Sequence, residues 1–339
     1  MKVSLVDVDG HNFPNLALMK LSAWHKMQGD NVDWYLPMFS HPDRIYASKV
    51  FTFTPDYEDY ACNDPEPIKG GTGYRMYQDL PEEVDRTLPD YSLYPQFNFA
   101  IGFLSRGCIR SCPWCVVPKK EGYIRKYDDI ERIAQGRKIA VLMDNNFLAN
   151  DFEFVKEQIE KSIFANIKID FNQGLDARLV NEENAKLLAK AKWATISGNN
   201  KYIRFSCDTL GMIDPVKKAI KTLRSVGYKG HIFVYFLAQE VDETLDRINE
   251  LLAFDNKIHP FVMPFRNLDG DGQITNPELK RLARWCNMTS VRKSCSYEEY
   301  KRKDKKRDVF GKTEQLKENP VVKQSLTTAK NVTLCGGYN

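Results

Sequence analysis

The stretch NFAIGFLSRGCIRSCPWCVVPKK, residues 98–120, decides how the chain reads. NFAIGFL (98–104) is an apolar run of strand length. Cys108, Cys112 and Cys115 follow it within eight residues, flanked by Arg106, Arg110, Lys119 and Lys120. From Asn98 a strand–helix alternation sets in. Strands are expected at KIAVLMDN (138–145), IKIDFNQG (167–174), KYIRFSCD (201–208), HIFVYFL (231–237) and HPFVMPF (259–265). Helices are expected between them at 128–136, 151–163, 181–191, 214–227 and 242–254, and a last one at NPELKRLARWC (276–286). In the 151–163 helix, Phe152, Val155, Ile159 and Ile163 share one face, and Asp214 ahead of Pro215 reads as an N-cap. Such an alternation implies a parallel sheet, open or curled toward a barrel. In folds of this kind the active residues sit on loops leaving the carboxyl ends of strands, where the cysteine loop lies.

Before Asn98, KVSLVDV (2–8) reads as a buried strand, 15–29 as a helix stopped by Gly29, and 31–36 and 44–53 as further strands. Residues 54–97 are rich in Pro, Asp, Tyr and Gly; GGTGY (70–74) and LPDYSLYPQF (88–97) read as loops. Tyr91, Tyr94 and Phe97 suit an interdomain core. The expected plan is a small α/β domain over 1–75, a linker over 76–97, the main domain over 98–290 and a poorly ordered basic tail over 291–339.

The 339 residues carry a net charge of +4, which does not by itself argue for nucleic acid. No apolar run approaches the roughly 20 residues that span a bilayer, and MKVSLVDVDGHNF does not read as a secretory signal. A cytoplasmic protein without a membrane partner is expected. In that compartment clustered thiols more often bind metal or do redox chemistry than form disulfides.

Three thiolates on one loop suit an iron–sulfur cluster, whereas structural zinc wants four ligands. Basic flanks would lower the thiol pKa values and offset cluster charge. A non-enzymatic zinc or iron–sulfur module, binding nucleic acid or carrying electrons, is the alternative. NLDGDGQITNPEL (267–279), aligned from Asp269, fails as a calcium loop because Lys280 stands where the bidentate acid belongs. Cys286, Cys295 and Cys335 are too loosely spaced for a second cluster, and KRKDKKRD (301–308) reads as a solvated charge run.

Cys108-x-x-x-Cys112-x-Trp114-Cys115, following the first strand of a β/α repeat, resembles the radical S-adenosylmethionine (radical SAM) superfamily over roughly residues 98–265. The resemblance implies a partial (β/α)6 TIM-like barrel and a [4Fe-4S] cluster on Cys108, Cys112 and Cys115. It also implies SAM chelated to the free iron, a 5′-deoxyadenosyl radical that abstracts hydrogen, and an external flavodoxin- or ferredoxin-like electron donor. The substrate would be a small molecule, a nucleic acid or a peptide. By the same resemblance the backbone beside Trp114 lies along the adenine, and Asp144, Asn145 and Asn146 stand where the methionine amino group is held. Arg178, beside Asp176, suits the SAM carboxylate. Ser206 and Asp208 suit ribose hydroxyls, with Cys207 on the opposite, core face. Phe265, on the sixth strand, would pack against adenine. Residues 1–75 resemble a shortened, Rossmann-like cobalamin-binding domain, with His11 the one positional candidate for a cobalt ligand; a degenerate domain that helps shape the substrate site is expected rather than a cobalamin holder.

Overall fold

The computed structural model describes residues 1–302, apart from residues 197, 199–200, 269–271 and 275. Residues Met1–Ala283 form one compact unit and the residues from Arg284 a second.

The amino-terminal layer grows around β1 (Lys2–Asp7), whose Val3, Ser4, Leu5 and Val6 are all buried, as expected for a parallel strand covered on both faces. Asn15 caps α1 (Leu16–Met27) by accepting from the Leu18 N–H at 3.2 Å. The helix ends ahead of Gly29, at φ +81. β2 (Asn31–Trp34), β3 (Arg44–Ser48) and β4 (Ile68–Gly70) complete a parallel sheet in the order β2-β1-β3-β4. β3 is shorter than the expected 44–53. Beyond Ser48 the Asp9 carboxylate accepts from the Val50 and Phe51 N–H groups and the Thr54 hydroxyl, which turns the chain out of the sheet. The stretch leading into GGTGY is a strand rather than a loop: Ile68–Gly70 pairs with Tyr46–Ser48 before Gly71 turns away. Tyr57, Tyr60 and Tyr74 pack against Val6, Tyr35, Ile45 and Ala47, so a tyrosine-rich segment covers part of this layer.

The expected linker is structured. It holds α2 (Glu82–Asp85) and a 3-10 turn (Tyr91–Leu93), and Val84, Tyr91, Leu93 and Tyr94 are buried. The Tyr94 hydroxyl donates to Asp7 at 2.7 Å, and the Tyr91 hydroxyl accepts from the Ile101 N–H at 3.0 Å. Tyr91 and Tyr94 thus join the amino-terminal layer to the first strand of the second layer.

That second layer runs β5 (Ala100–Gly102), β6 (Ser105–Arg106), α3 (Val117–Lys120), β7 (Arg125–Lys126), α4 (Ile130–Ala134), β8 (Ile139–Leu142), α5 (Phe152–Phe164), β9 (Lys168–Phe171), α6 (Glu182–Lys190), β10 (Tyr202–Ser206), α7 (Ile213–Ser225), β11 (His231–Ala238), α8 (Val241–Phe254) and β12 (Ile258–Pro264). Two parallel sheets, β5-β8-β9 and β10-β11-β12, take the strands in chain order. Among the described residues a single parallel bridge, Leu175 with Phe205, connects them. Beside it Arg204 grips Asp170 through Nε at 2.6 Å and Nη2 at 2.9 Å, a buried two-pronged pair where the ladder is thin.

Several local expectations change. β6 and β7 form a short antiparallel hairpin across the cysteine loop, which no periodicity announced. In α5 Phe152 is 37% exposed and Phe154 takes the core place, on the buried face it shares with Val155, Gln158, Ile159 and Ser162. Asp214 lies inside the first turn of α7 rather than capping it; Met212 is the cap residue. The last helices are α9 (Pro277–Asn287) and α10 (Thr289–Ser294), so residues 289–294, in part assigned to the tail, are helical. Residues 303–339, with Cys335 and most of KRKDKKRD, and Asp269 of the rejected calcium loop lie outside the described residues. No helix among the described residues is long and apolar enough to cross a membrane.

Candidate functional site

The cysteine loop leaves β5 between the two strands of the β6–β7 hairpin. Arg106 and Glu121 tie its ends together, Nε to Oε2 at 2.8 Å and Nη2 to Oε1 at 2.8 Å. The Cys108 N–H donates to the Gly122 carbonyl at 3.1 Å. Gly107 has φ +85, and a Cβ there would lie 2.3 Å from the Tyr123 carbonyl oxygen, so only glycine fits. A third Arg106 nitrogen reaches Asp85 at 3.2 Å, and Asp85 also takes Lys20 Nζ at 2.9 Å and the Tyr127 hydroxyl at 2.6 Å. This polar cluster connects α1, α2 and the loop.

The chain after β8 braces the loop from beneath. Asp144 is 1% exposed and accepts from the Leu104 N–H at 3.0 Å and from the Ser105 N–H and hydroxyl at 2.6 and 2.7 Å. Burial pushes its carboxyl up to about 6 against those hydrogen bonds. Asn145 Oδ1 accepts from the Gly107 N–H at 3.0 Å. Asn146, 2% exposed, donates from Nδ2 to Cys108 Sγ at 3.3 Å and to Asp176 Oδ2 at 3.4 Å. Its Oδ1 is buried and has no hydrogen-bond partner among the described residues. The Arg110 N–H also donates to Cys108 Sγ, at 3.3 Å.

Asp176 gathers the arginines. It accepts from Arg110 Nε at 3.1 Å and from Arg178 Nε and Nη2 at 2.7 and 3.0 Å. Burial raises its carboxyl, but Arg178 and Arg110 outweigh that and hold it below the ordinary range.

The thiols differ from expectation. Cys108, Cys112 and Cys115 are free; Cys115 is exposed and Cys112 half-buried, yet partial desolvation by neighbouring atoms raises both of their thiols. The basic flank does not lower them because it is committed elsewhere. Arg106 is held by Glu121 and Asp85, Arg110 by Asp176, and Lys120 by the Met76 carbonyl and Asp79. Arg178 supplies the cation that opposes the rise at Cys112. Among the described residues no group of three His, Cys, Asp or Glu side chains is gathered to hold a single metal ion. A mononuclear zinc needs its ligand atoms about 2.0–2.3 Å from one point. A four-iron cluster sets each thiolate on a separate iron and spreads them wider.

The ends of β10 and β12 supply the remaining candidates. Asp208 accepts from the Leu237 N–H at 3.4 Å, and its charge acts on both Cys112 and Cys115. Burial raises its carboxyl, while the Ser206 side chain and Arg178 oppose this. Cys207 is fully buried on the other face, its thiol pushed up to about 12 by burial. Phe265 is placed by its N–H, which donates to the Ala238 carbonyl at 2.8 Å; both it and Trp114 are half-buried. His11 is exposed and lies tilted at 55° against Trp34, ring centroids 4.2 Å apart, with Tyr94 at 5.8 Å. Cys286 is buried and Cys295 Sγ donates to the Val291 carbonyl at 3.7 Å. Two surface clefts, one at Arg224, Tyr228 and Lys257 and one at Asp85, Tyr127 and Arg132, share no residue with the loop.

Interactions of charge and hydrogen bonding thus connect Cys108, Cys112 and Cys115 with Asn146, Asp176, Arg178 and Asp208. Sequence reasoning named Arg110 only as a charged flank and missed its pairing with Asp176, and it missed Glu121 altogether. The partners stand 66 and 15 residues away, and no local pattern marks these pairings.

The fold and site define a mixed α/β protein with parallel sheets that carries three free thiols on a loop beyond a strand's carboxyl end. No protein-family model matches the chain, and no curated protein matches it. Among solved structures it is similar to Streptococcus suis SuiB bound to the precursor peptide SuiA, at 18% identity and a TM-score of 0.42. That likeness covers 56% of this chain and 45% of the other, so the chain spans less than half of that structure's length.

Proposed function

We propose that the protein is a radical SAM enzyme whose single cluster is held by Cys108, Cys112 and Cys115. The observation that carries this reading is a loop of three free thiols at the carboxyl end of β5, with a buried, unpaired amide oxygen of Asn146 beside it. The donor set fits: three thiolates leave one iron of a [4Fe-4S] cluster to an outside ligand. Such a cluster, held by Cys108, Cys112 and Cys115, would supply one-electron reduction of the SAM sulfonium and with it radical hydrogen-abstraction chemistry.

The chain's own residues bind and orient. Asn146 Oδ1, buried without a donor, accepts an N–H from the methionine ammonium. Arg178, fixed by Asp176, places positive charge beside Cys112 for the carboxylate. Ser206 and Asp208 take the ribose hydroxyls, and Phe265 and Trp114 flank the adenine. Asp144 and Asn145 act at one remove, by bracing the backbone of Leu104, Ser105 and Gly107. In this reading β5, β8, β9, β10, β11 and β12 form a partial (β/α)6 barrel after a small Rossmann-like layer. A flavodoxin- or ferredoxin-like donor supplies the electron in the cytoplasm.

Anaerobic reconstitution should give iron and sulfide at about four each per chain. Changing all three cysteines to alanine should abolish both. Reduction with SAM should release 5′-deoxyadenosine. Zinc without sulfide, or reversible reduction that leaves SAM intact, would overturn the reading.

A further inference from the structure

We infer that Asn146 is a positioning residue that sets the reduction potential of the metal centre ligated by Cys108. The inference rests on the proposed cluster but concerns a property of this chain's amide.

Asn146 sits just ahead of the 3-10 turn Phe147–Ala149, where an asparagine commonly caps a backbone N–H. Its side chain makes no such cap bond. Instead Nδ2 faces two acceptors at once, Cys108 Sγ at 3.3 Å and Asp176 Oδ2 at 3.4 Å. That pair fixes which way the amide points, since a flipped carbonyl would confront a carboxylate and a thiolate. Asp176 is itself immobilised by Arg110 and Arg178, so the amide rests on a rigid support. The Arg110 N–H gives Cys108 Sγ a second donor at 3.3 Å. Two N–H donors on one thiolate withdraw electron density from it, favour the more negative reduced state and raise the potential. At 2% exposure water does not compete for the bond. Neither Cys112 nor Cys115 is given a side-chain amide in this way by any described contact, so the tuning acts on one ligand of the three.

The test uses the full chain, reconstituted anaerobically, as wild type and as Asn146→Leu and Asn146→Asp. Asn146→Leu removes the donor at similar volume; Asn146→Asp keeps the shape and puts an acceptor in its place. Each is titrated with dithionite and followed by electron paramagnetic resonance. One electron passes from the reductant to the cluster, and no bond forms or breaks. The midpoint should move negative in Asn146→Leu and further in Asn146→Asp. In Asn146→Leu the ratio of reduced to oxidised cluster at fixed potential should fall about tenfold, ~59 mV for one electron, with iron and sulfide unchanged. Coincident midpoints at equal cluster content would overturn the inference. Loss of iron and sulfide in both variants, with unchanged circular dichroism, would make Asn146 a residue of assembly and overturn its tuning role. A wild-type chain that takes up no iron and sulfide is recognised before any titration, and defeats the proposed function itself.

Discussion

Gly107 is a position where one added methyl group has a determinate effect. Its φ of +85 is unfavourable for any side chain, and the Tyr123 carbonyl stands 2.3 Å from where a Cβ would go. Gly107→Ala should destabilise the fold by about 2–4 kcal/mol, seen as a lower chemical-denaturation midpoint. Asp7 offers a second residue-level test. Burial pushes its carboxyl up to about 6, against the Tyr94 hydroxyl that donates to it. For an acid raised in the folded state, the contribution is fully present below the ordinary carboxylate pKa. It is lost as pH climbs through about 6. Asp7→Asn should therefore gain stability relative to wild type between pH 4 and 7, by about 1–2 kcal/mol once solvent screening is allowed for. Equal pH profiles for the two proteins would refute this.

At the scale of elements, the hairpin that closes the cysteine loop depends on side chains more than on its ladder, since each strand has two residues. Glu121 is buried and holds Arg106 with both oxygens. Glu121→Gln should weaken that closure by about 1–3 kcal/mol and speed tryptic cleavage after Lys119 and Lys120 several-fold, with thermal stability little changed. The same elements mark what was legible beforehand. Long apolar strands such as β11 and capped helices such as α6 declare themselves, because periodicity and caps are local. A two-residue strand is too short to alternate, so β6 and β7 left no pattern. Phe152 and Phe154 are both apolar and two apart, so hydrophobicity alone does not say which faces inward; Phe154 shares the buried face of Val155, Gln158 and Ile159. Among site residues the cysteines and Arg178 stood out by type and spacing. The pairing of Arg110 with Asp176 and the role of Glu121 were invisible because both depend on distant partners. The charge of the flank was legible, but not that carboxylates neutralise it.

For the whole molecule, the Asp170–Arg204 pair stands where two parallel sheets meet through one bridge. Arg204→Met alone leaves a buried carboxylate unpaired and should cost about 3–5 kcal/mol. The double variant Asp170→Leu, Arg204→Met should recover most of that loss, measured by chemical denaturation. Failure of the double variant to recover would mean that the pair supplies register as well as charge balance.

The cluster around Asp85 bears on how this chain can be dissected. Lys20 comes from the first helix, Asp85 from the segment between layers, and Arg106 from the root of the cysteine loop. A fragment begun at Asn98 would lose the acid that meets the outer nitrogen of Arg106, and the phenol of Tyr91 that meets the Ile101 backbone. The thiol-bearing half is thus no self-sufficient module: whatever it does, it does on a foundation laid by the first hundred residues.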